Sequence, residues 1–500
     1  ASAGTSNFRA GVNAGNSIQS GGNYNTVVGD EAGTAITTGD QNTFVGYAAG
    51  DVTTTSSNNT GIGNNALGGN ILGSYNVAIG KDSLEEMNPA TAVNMYNTAV
   101  GAAAGQKVTT GTGNTLIGGL AGDALTTGND NVAIGKDALS ADTLGSGSVA
   151  IGLVALQDQN FTTATNAYNT AIGRSAGRDI TTGVNNVIIG ALAGDALTDA
   201  DLNVAVGKGA LTTDTLGSNS VAIGFAALEA QNFTTATDSY NTAVGSAAGA
   251  AVTTGVRNTF IGGLSGDALT TGLDNVAMGK SALSAETSGA RSVAIGSNSL
   301  TAQNVGSGTA VYNTAVGYDA GASVTTGIKN ILMGGLAGDA MTDADSNVAI
   351  GFESLTTNVL GSKSVAVGQG SLSNQNPATA ADMYNVGVGY NAASNITTGT
   401  QNTLIGALAG DALTSSGDNT AVGYRALGNA TTGNENTAMG HTALFTNILS
   451  NRNVAIGVDA LSVHNQATSV DSYNTAVGYQ AGEKVTTGLQ NTLIGGLAGD

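Results

Sequence analysis

Apolar and polar positions alternate along this chain in short bursts, such as "NTAVG" at Asn97 and "NVAIG" at Asn131. Each burst is a few residues long, rich in β-branched side chains and closed at once by Gly, a pattern that predicts a strand ending in a tight turn. Aligned on its leading Asn or Ser, the motif [N/S]-x-x-[I/V/M]-G-x-x-[A/S] recurs 27 times between Asn25 and Asn491. The steps between copies run 17, 17, 17 and then 21 residues, giving a superperiod of 72 that begins at Asn25, Asn97, Asn169, Asn241 and Asn313. The unit beginning at Asn385 carries one additional 17-residue step, and the next begins at Asn474. An array that accepts an added rung is what nearest-neighbour stacking predicts.

Seventeen residues are too few for a helical hairpin, and the two prolines, Pro89 and Pro377, both fall inside 21-residue steps. Two strands and two turns per coil fit, the second strand including "VTTG" or "ALTTG", so the predicted fold is all-β, a parallel β-solenoid with 17- and 21-residue rungs. Residues 25–500 form one continuous array, expected to continue beyond 500, and residues 1–24 are left without an assigned structure.

The motif positions are numbered from its Asn or Ser as position 1. Position 4 is Ile, Val or Met in all 27 copies and position 2 is mostly Val or Thr. Alternation places both on one face, assigned here to the interior of the coil. Position 3 then faces outward, although it is Ala in most rungs and Phe44, Leu116, Ile188, Phe260, Leu332 or Leu404 once in each 72-residue unit. An apolar strip of that kind is expected to be a chain–chain interface, because a thin coil buries little area for its ordered backbone and gains from association. The Gly at position 5 requires either a positive φ or close backbone approach, and the Asn at position 1 is expected to stack on its copies as an amide ladder.

Composition narrows the chemistry. Seventy-six glycines, no Trp, no Cys and 4% aromatic residues imply close packing of small side chains, without disulfides, thiolate metal sites or cysteine nucleophiles. A net charge of −20 argues against a nucleic-acid partner, which needs clustered Lys and Arg. No apolar run reaches the roughly 18 residues of a membrane helix, so no membrane insertion is expected in this segment.

Candidate sites are few. Tyr96, Tyr168, Tyr240, Tyr312, Tyr384 and Tyr473 each precede the motif Asn at the end of a 21-residue step, and would line one exposed edge that contacts glycans or a neighbouring fibre, or else cover the gap opened by the longer turn. Asp123, Asp195, Asp267, Asp339 and Asp411, with Asp500, recur in "GD" turns; rings of carboxylates for Ca²⁺ or Mg²⁺ are conceivable, and solvated turn residues explain them with less. The "GKDAL" at Gly135 has Asp130 five residues before its Gly, where a phosphate-binding loop needs Gly. His441 and His464, the two histidines, supply no triad or metal cluster. The expectation is therefore no catalytic, cofactor or metal site and no enzyme.

The segments "NVAIGKDAL" from Asn131, "SVAIGFAAL" from Ser220 and "NTAVGYQAG" from Asn474 resemble the head repeats of YadA-type trimeric autotransporter adhesins, and more closely the repeats of phage tail fibres and tail-fibre-like bacterial proteins. The likeness runs from Asn25 to Asp500, with rungs longer than those typical of adhesin heads. The resemblance implies a left-handed β-roll, a homotrimeric rod, and a place on a virion or at the cell surface. The function expected from it is a structural, non-enzymatic shaft for attachment to a host-cell receptor, glycans included. The alternatives are a bacterial trimeric adhesin binding matrix or cells through its shaft, and a self-stacking extracellular filament of monomeric solenoids.

Overall fold

Every motif copy folds as one three-residue strand at positions 2 to 4, and within each of the two units described below successive strands pair in parallel and in register, as Thr98–Val100 with Thr115–Ile117 and that strand with Val132–Ile134. The N–H of position 2 donates to the position 1 carbonyl of the following rung, Thr98 to Asn114 at 2.8 Å. The N–H of the position 5 Gly donates to the position 4 carbonyl of the preceding rung, Gly118 to Val100 at 2.8 Å. The computed structural model describes residues 4–306 and 308–500, and these contain no helix. They form two compact units, Ala1–Thr254 and Gly255–Asp500, each with fourteen three-residue strands built on the same rung plan. The fold is an all-β parallel solenoid with rungs of about 17 residues.

The array begins earlier than the motif count places it. Phe8–Ala10 pairs in parallel with Thr26–Val28, and Asn7 Oδ1 accepts from the Asn25 N–H at 2.8 Å, so a divergent first rung occupies part of the segment left unassigned.

The second strand of each coil does not form where "VTTG" and "ALTTG" predict it. Those segments are bends that still stack, Thr109 N–H donating to the Thr126 carbonyl at 2.9 Å, without ladder geometry on both sides. Two-residue strands pair only across 21-residue steps, as Gly73–Ser74 with Val93–Asn94 and Gly145–Ser146 with Thr165–Asn166.

The largest correction concerns which face is inside. Position 3 points into the coil and positions 2 and 4 point out, so Phe44, Leu116, Ile188, Phe260, Leu332 and Leu404 are core residues with 0% exposure and cannot form a chain–chain interface. The reason lies in position 1. Its Asn side chain is buried and closes the coil across its width, Asn42 Nδ2 donating to the Ser56 carbonyl at 3.0 Å, and alternation then carries position 3 to the same side.

In many rungs positions 3 and 9 exchange volume, while in rungs such as that of Ala99 and Gly105 both are small and Leu84 and Leu116 of the neighbouring rungs reach into the space. Where position 3 is large, position 9 in that rung is Gly: a Cβ on Gly50 would lie 2.5 Å from the Phe44 ring, and one on Gly122 would lie 2.8 Å from Leu116. Where position 3 is Ala, as at Ala133 and Ala150, Leu139 and Leu156 stand at position 9 and fill the same space fully buried. The motif Gly meets both demands raised by the sequence: Gly29 has φ +128°, and a Cβ there would sit 2.5 Å from the Gly46 carbonyl oxygen.

Candidate functional site

The amide ladder is the spine of the interior. Asn42 Nδ2 and its own N–H both approach Asn25 Oδ1, at 3.1 and 3.0 Å, and Asn59 repeats the arrangement on Asn42. A buried amide with every group partnered stabilises the fold, whereas an unpaired one would cost it.

At each 21-residue step a different side chain enters the ladder from ten residues before the incoming Asn. These are Met87, Gln159, Gln231, Gln303, Gln375 and His464, all fully buried. Gln159 Nε2 donates to Asp142 Oδ2 at 2.6 Å and to Ser148 Oγ at 3.0 Å, and its Oε1 accepts from Asn169 Nδ2 at 2.9 Å. Gln231 repeats this with Asp214 and Ser220, and Gln303 with Glu286 and Ser292. Burial raises the Asp142 carboxyl pKa, opposed by the donors Gln159 and Gly145. Gln375 faces Asn358 in place of an acid; there Ser364 Oγ donates to its Oε1 at 3.1 Å and Nε2 is left unpaired. Sequence reading missed this set, although the polar residues recur at a fixed distance from the long step.

The outer face of the sheet is made by positions 2 and 4. From Thr26 to Ile494 every one of these residues is Thr, Val, Ile or Met, without a single charge, and the position 4 residues are partly exposed, Ile79 at 36% and Met333 at 41% among them, with Ile494 in the terminal rung at 71%. Immediately after the motif Gly stand further exposed aromatics that the sequence analysis did not single out: Tyr47, Phe225, Tyr318, Phe352, Tyr390, Tyr424 and Tyr479.

Tyr96, Tyr168, Tyr240, Tyr312, Tyr384 and Tyr473 are exposed, each with φ between +49° and +57°. The gap of the longer step is filled from inside by the Met, Gln or His described above, so the tyrosines do not serve as its cover. Five of them lie against the equivalent residue of the previous rung instead. Tyr96 packs on Tyr75 with ring centroids 5.3 Å apart, and Tyr168 passes over Gly147, where a Cβ would come within 2.9 Å of the ring. Arg291, Lys363 and Arg452 sit over Tyr312, Tyr384 and Tyr473 at 5.7, 5.4 and 5.6 Å. These cations are also paired, Lys363 with Asp382 at 2.6 Å and Arg452 with Glu435 at 3.1 Å. At exposed positions such contacts contribute under about 1 kcal/mol each.

The recurrent Asp residues occupy turns. Thr212 and Thr356 donate to Asp195 and Asp339, while one oxygen of Asp123 and one of Asp267 lack partners. Burial raises the pKa of Asp123, Asp267 and Asp411. Asp123 lines an open groove of about 210 Å³ with Asp137 and Asp158. Among the described residues no group of three or more His, Cys, Asp or Glu side chains is arranged to hold a metal ion. His441 stacks on Tyr424 at 5.4 Å at the surface, whereas His464, on the next rung, is buried, so the two stand in different surroundings. No helix among the described residues is long and apolar enough to cross a membrane. No protein-family model matches the chain, and no curated protein compared with it does.

Proposed function

We propose that this chain is the shaft of a structural, non-enzymatic fibre for attachment to a host-cell surface, a viral tail fibre or related surface fibre, assembled as a homotrimer and located on a virion or at the cell exterior. The observation that carries the reading is the uncharged outward face at positions 2 and 4. Parallel sheets are ordinarily covered on both faces, and here one is covered by the coil interior while the other is bare. Two outward residues on each of thirteen motif strands in the first unit and fourteen in the second give 26 and 28, within the roughly 20–30 residues a side of a standard protein interface. Three copies turning this face toward a common axis would cover it without burying a charge. Rung-by-rung pairing in register supplies the stiffness a shaft requires.

The six exposed tyrosines favour a second reading, a bacterial trimeric adhesin that binds glycans, matrix or cells along the shaft itself. In the third reading, monomeric solenoids stack into a filament.

Light scattering of the full chain over a range of concentrations tests the assembly. The expected result is a constant threefold mass, lost in a variant carrying Ile117→Glu, Ile189→Glu and Val206→Glu whose circular dichroism is unchanged. A monomeric mass for the unsubstituted chain overturns the trimer, and a mass that grows with concentration transfers the proposal to the stacked filament.

A further inference from the structure

His464 stands where four of the other long steps place Gln and one places Met, and it alone of the six can gain a charge near neutral pH. We infer that the long step around His464 is an acid-sensitive joint: protonation of this ring opens the coil locally, between the Asn453 and Asn474 rungs, while the other five steps stay closed.

The geometry favours a neutral ring. Asn474 Nδ2 lies 3.4 Å from His464 Nε2 and donates at the same time to the Gly488 carbonyl at 2.8 Å, so it presents a donor to the ring. Ser472 Oγ lies 3.2 Å from the same nitrogen. Nε2 is therefore the acceptor, the proton of the neutral ring falls on Nδ1, and Nδ1 makes no hydrogen bond. A second proton would set Nε2–H against the Asn474 amide donor.

No carboxylate is placed to receive the charge. The acids that face Gln159, Gln231 and Gln303 are replaced at this step by Asn447, whose amide bonds Ser450. Charged groups on the surrounding rungs are engaged at the surface. Arg452 pairs with Glu435 and Asp471, Lys484 with Asp500 at 3.4 Å, and Asp459 accepts from Thr442. Glu483 and His441 make no contact with the ring, and the Tyr473 hydroxyl is bound to Arg452 at 2.8 Å. Burial accordingly lowers the His464 pKa, the backbone of Thr486 and Val485 pulling weakly the other way. A histidine whose folded pKa is depressed leaves the closed state fully stable above the unfolded value of about 6.5, and stability falls as the pH drops below it.

Hydrogen exchange of the full chain at pH 7 and pH 5, corrected for intrinsic rates, tests the joint, and it does so whichever functional reading holds. Peptides within 454–491 are expected to lose protection by up to about 25-fold between pH 7 and pH 5, the ratio set by an open-state pKa near 6.5. Peptides around Met87 and Gln375 should lose none. His464→Met, which reproduces the step of Asn70, Asn76 and Met87, and His464→Gln, which reproduces that of Asn358 and Gln375, should each abolish the acid response. Equal loss at all steps, no loss at pH 5, or a response that persists in both variants overturns the inference.

Discussion

At the scale of single residues, the solenoid is governed by what a coil of 17 residues can hold. Position 3 enters the interior and position 4 does not, so neighbouring residues of similar hydrophobicity should differ sharply in cost. Phe44→Ala removes a ring with 0% exposure and is expected to destabilise its rungs by about 3–5 kcal/mol, whereas Val45→Ala, on the outer face, should cost under about 1 kcal/mol in the unassembled chain. Local hydrogen exchange across residues 26–62 is the measurement, and equal costs would restore the outward assignment of position 3. The exchange of volume between positions 3 and 9 adds a coupled test. Gly50→Ala places a Cβ 2.5 Å from the Phe44 ring on top of a φ of +55°, so it should be severe in the wild-type background and mild, near the roughly 1 kcal/mol of the backbone term, in Phe44→Ala.

At the scale of the element, the 17-residue rung is the simple case and the 21-residue step is the instructive one. Four additional residues separate the position 1 side chains, Ser148 from Asn169 among them, and a residue from the longer loop fills the interior between them. Where that residue is Gln159, its partner is a fully buried carboxylate, Asp142. Gln159→Ala leaves this charge with fewer donors and should cost about 2–3 kcal/mol in local opening. Asp142→Asn should cost less than about 1 kcal/mol, because Asn70, Asn358 and Asn447 occupy the same place in three other steps and bond the backbone three residues on, Asn70 Oδ1 accepting from the Gly73 N–H at 2.8 Å. Exchange rates of amides near 145–170 distinguish the two, and a reversed order would mean that the carboxylate, not the amide, organises the step.

At the scale of the whole molecule, an acidic chain with a net charge of −20 carries a sheet face with no charge at all. Like charges repel over the rest of the surface, while the bare face carries none to oppose association. Association through such a face depends on apolar burial, so the mass of the assembly should be unchanged between about 0.05 and 1 M NaCl, a range over which the Debye length falls several-fold. Dissociation on raising the salt, followed in the same light-scattering measurement, would mean that ion pairs, rather than positions 2 and 4, hold the copies together.

The sequence by itself determined the period, the parallel solenoid, the amide ladder and the demand for Gly at position 5, because each of these follows from identity repeated at fixed spacing. It did not determine which face of the strand lies inside. Alternation groups positions 2 and 4 against position 3, but neither set carries a charge, so hydrophobicity cannot order them, and Ile, Val or Met at every position 4 reads like a core. Two facts that only the folded coil combines decide the matter: the Asn at position 1 spans the interior and takes position 3 with it, and Gly at position 9 opens the space that Phe44 or Leu116 fills. The same limit hid the long-step core. Gln159 and His464 are ten residues from the Asn side chains they meet, across a loop whose path is set by packing against the next rung. Contacts between residues at the repeat spacing are legible in a repeating sequence; contacts that depend on how the coil closes are decided by tertiary structure.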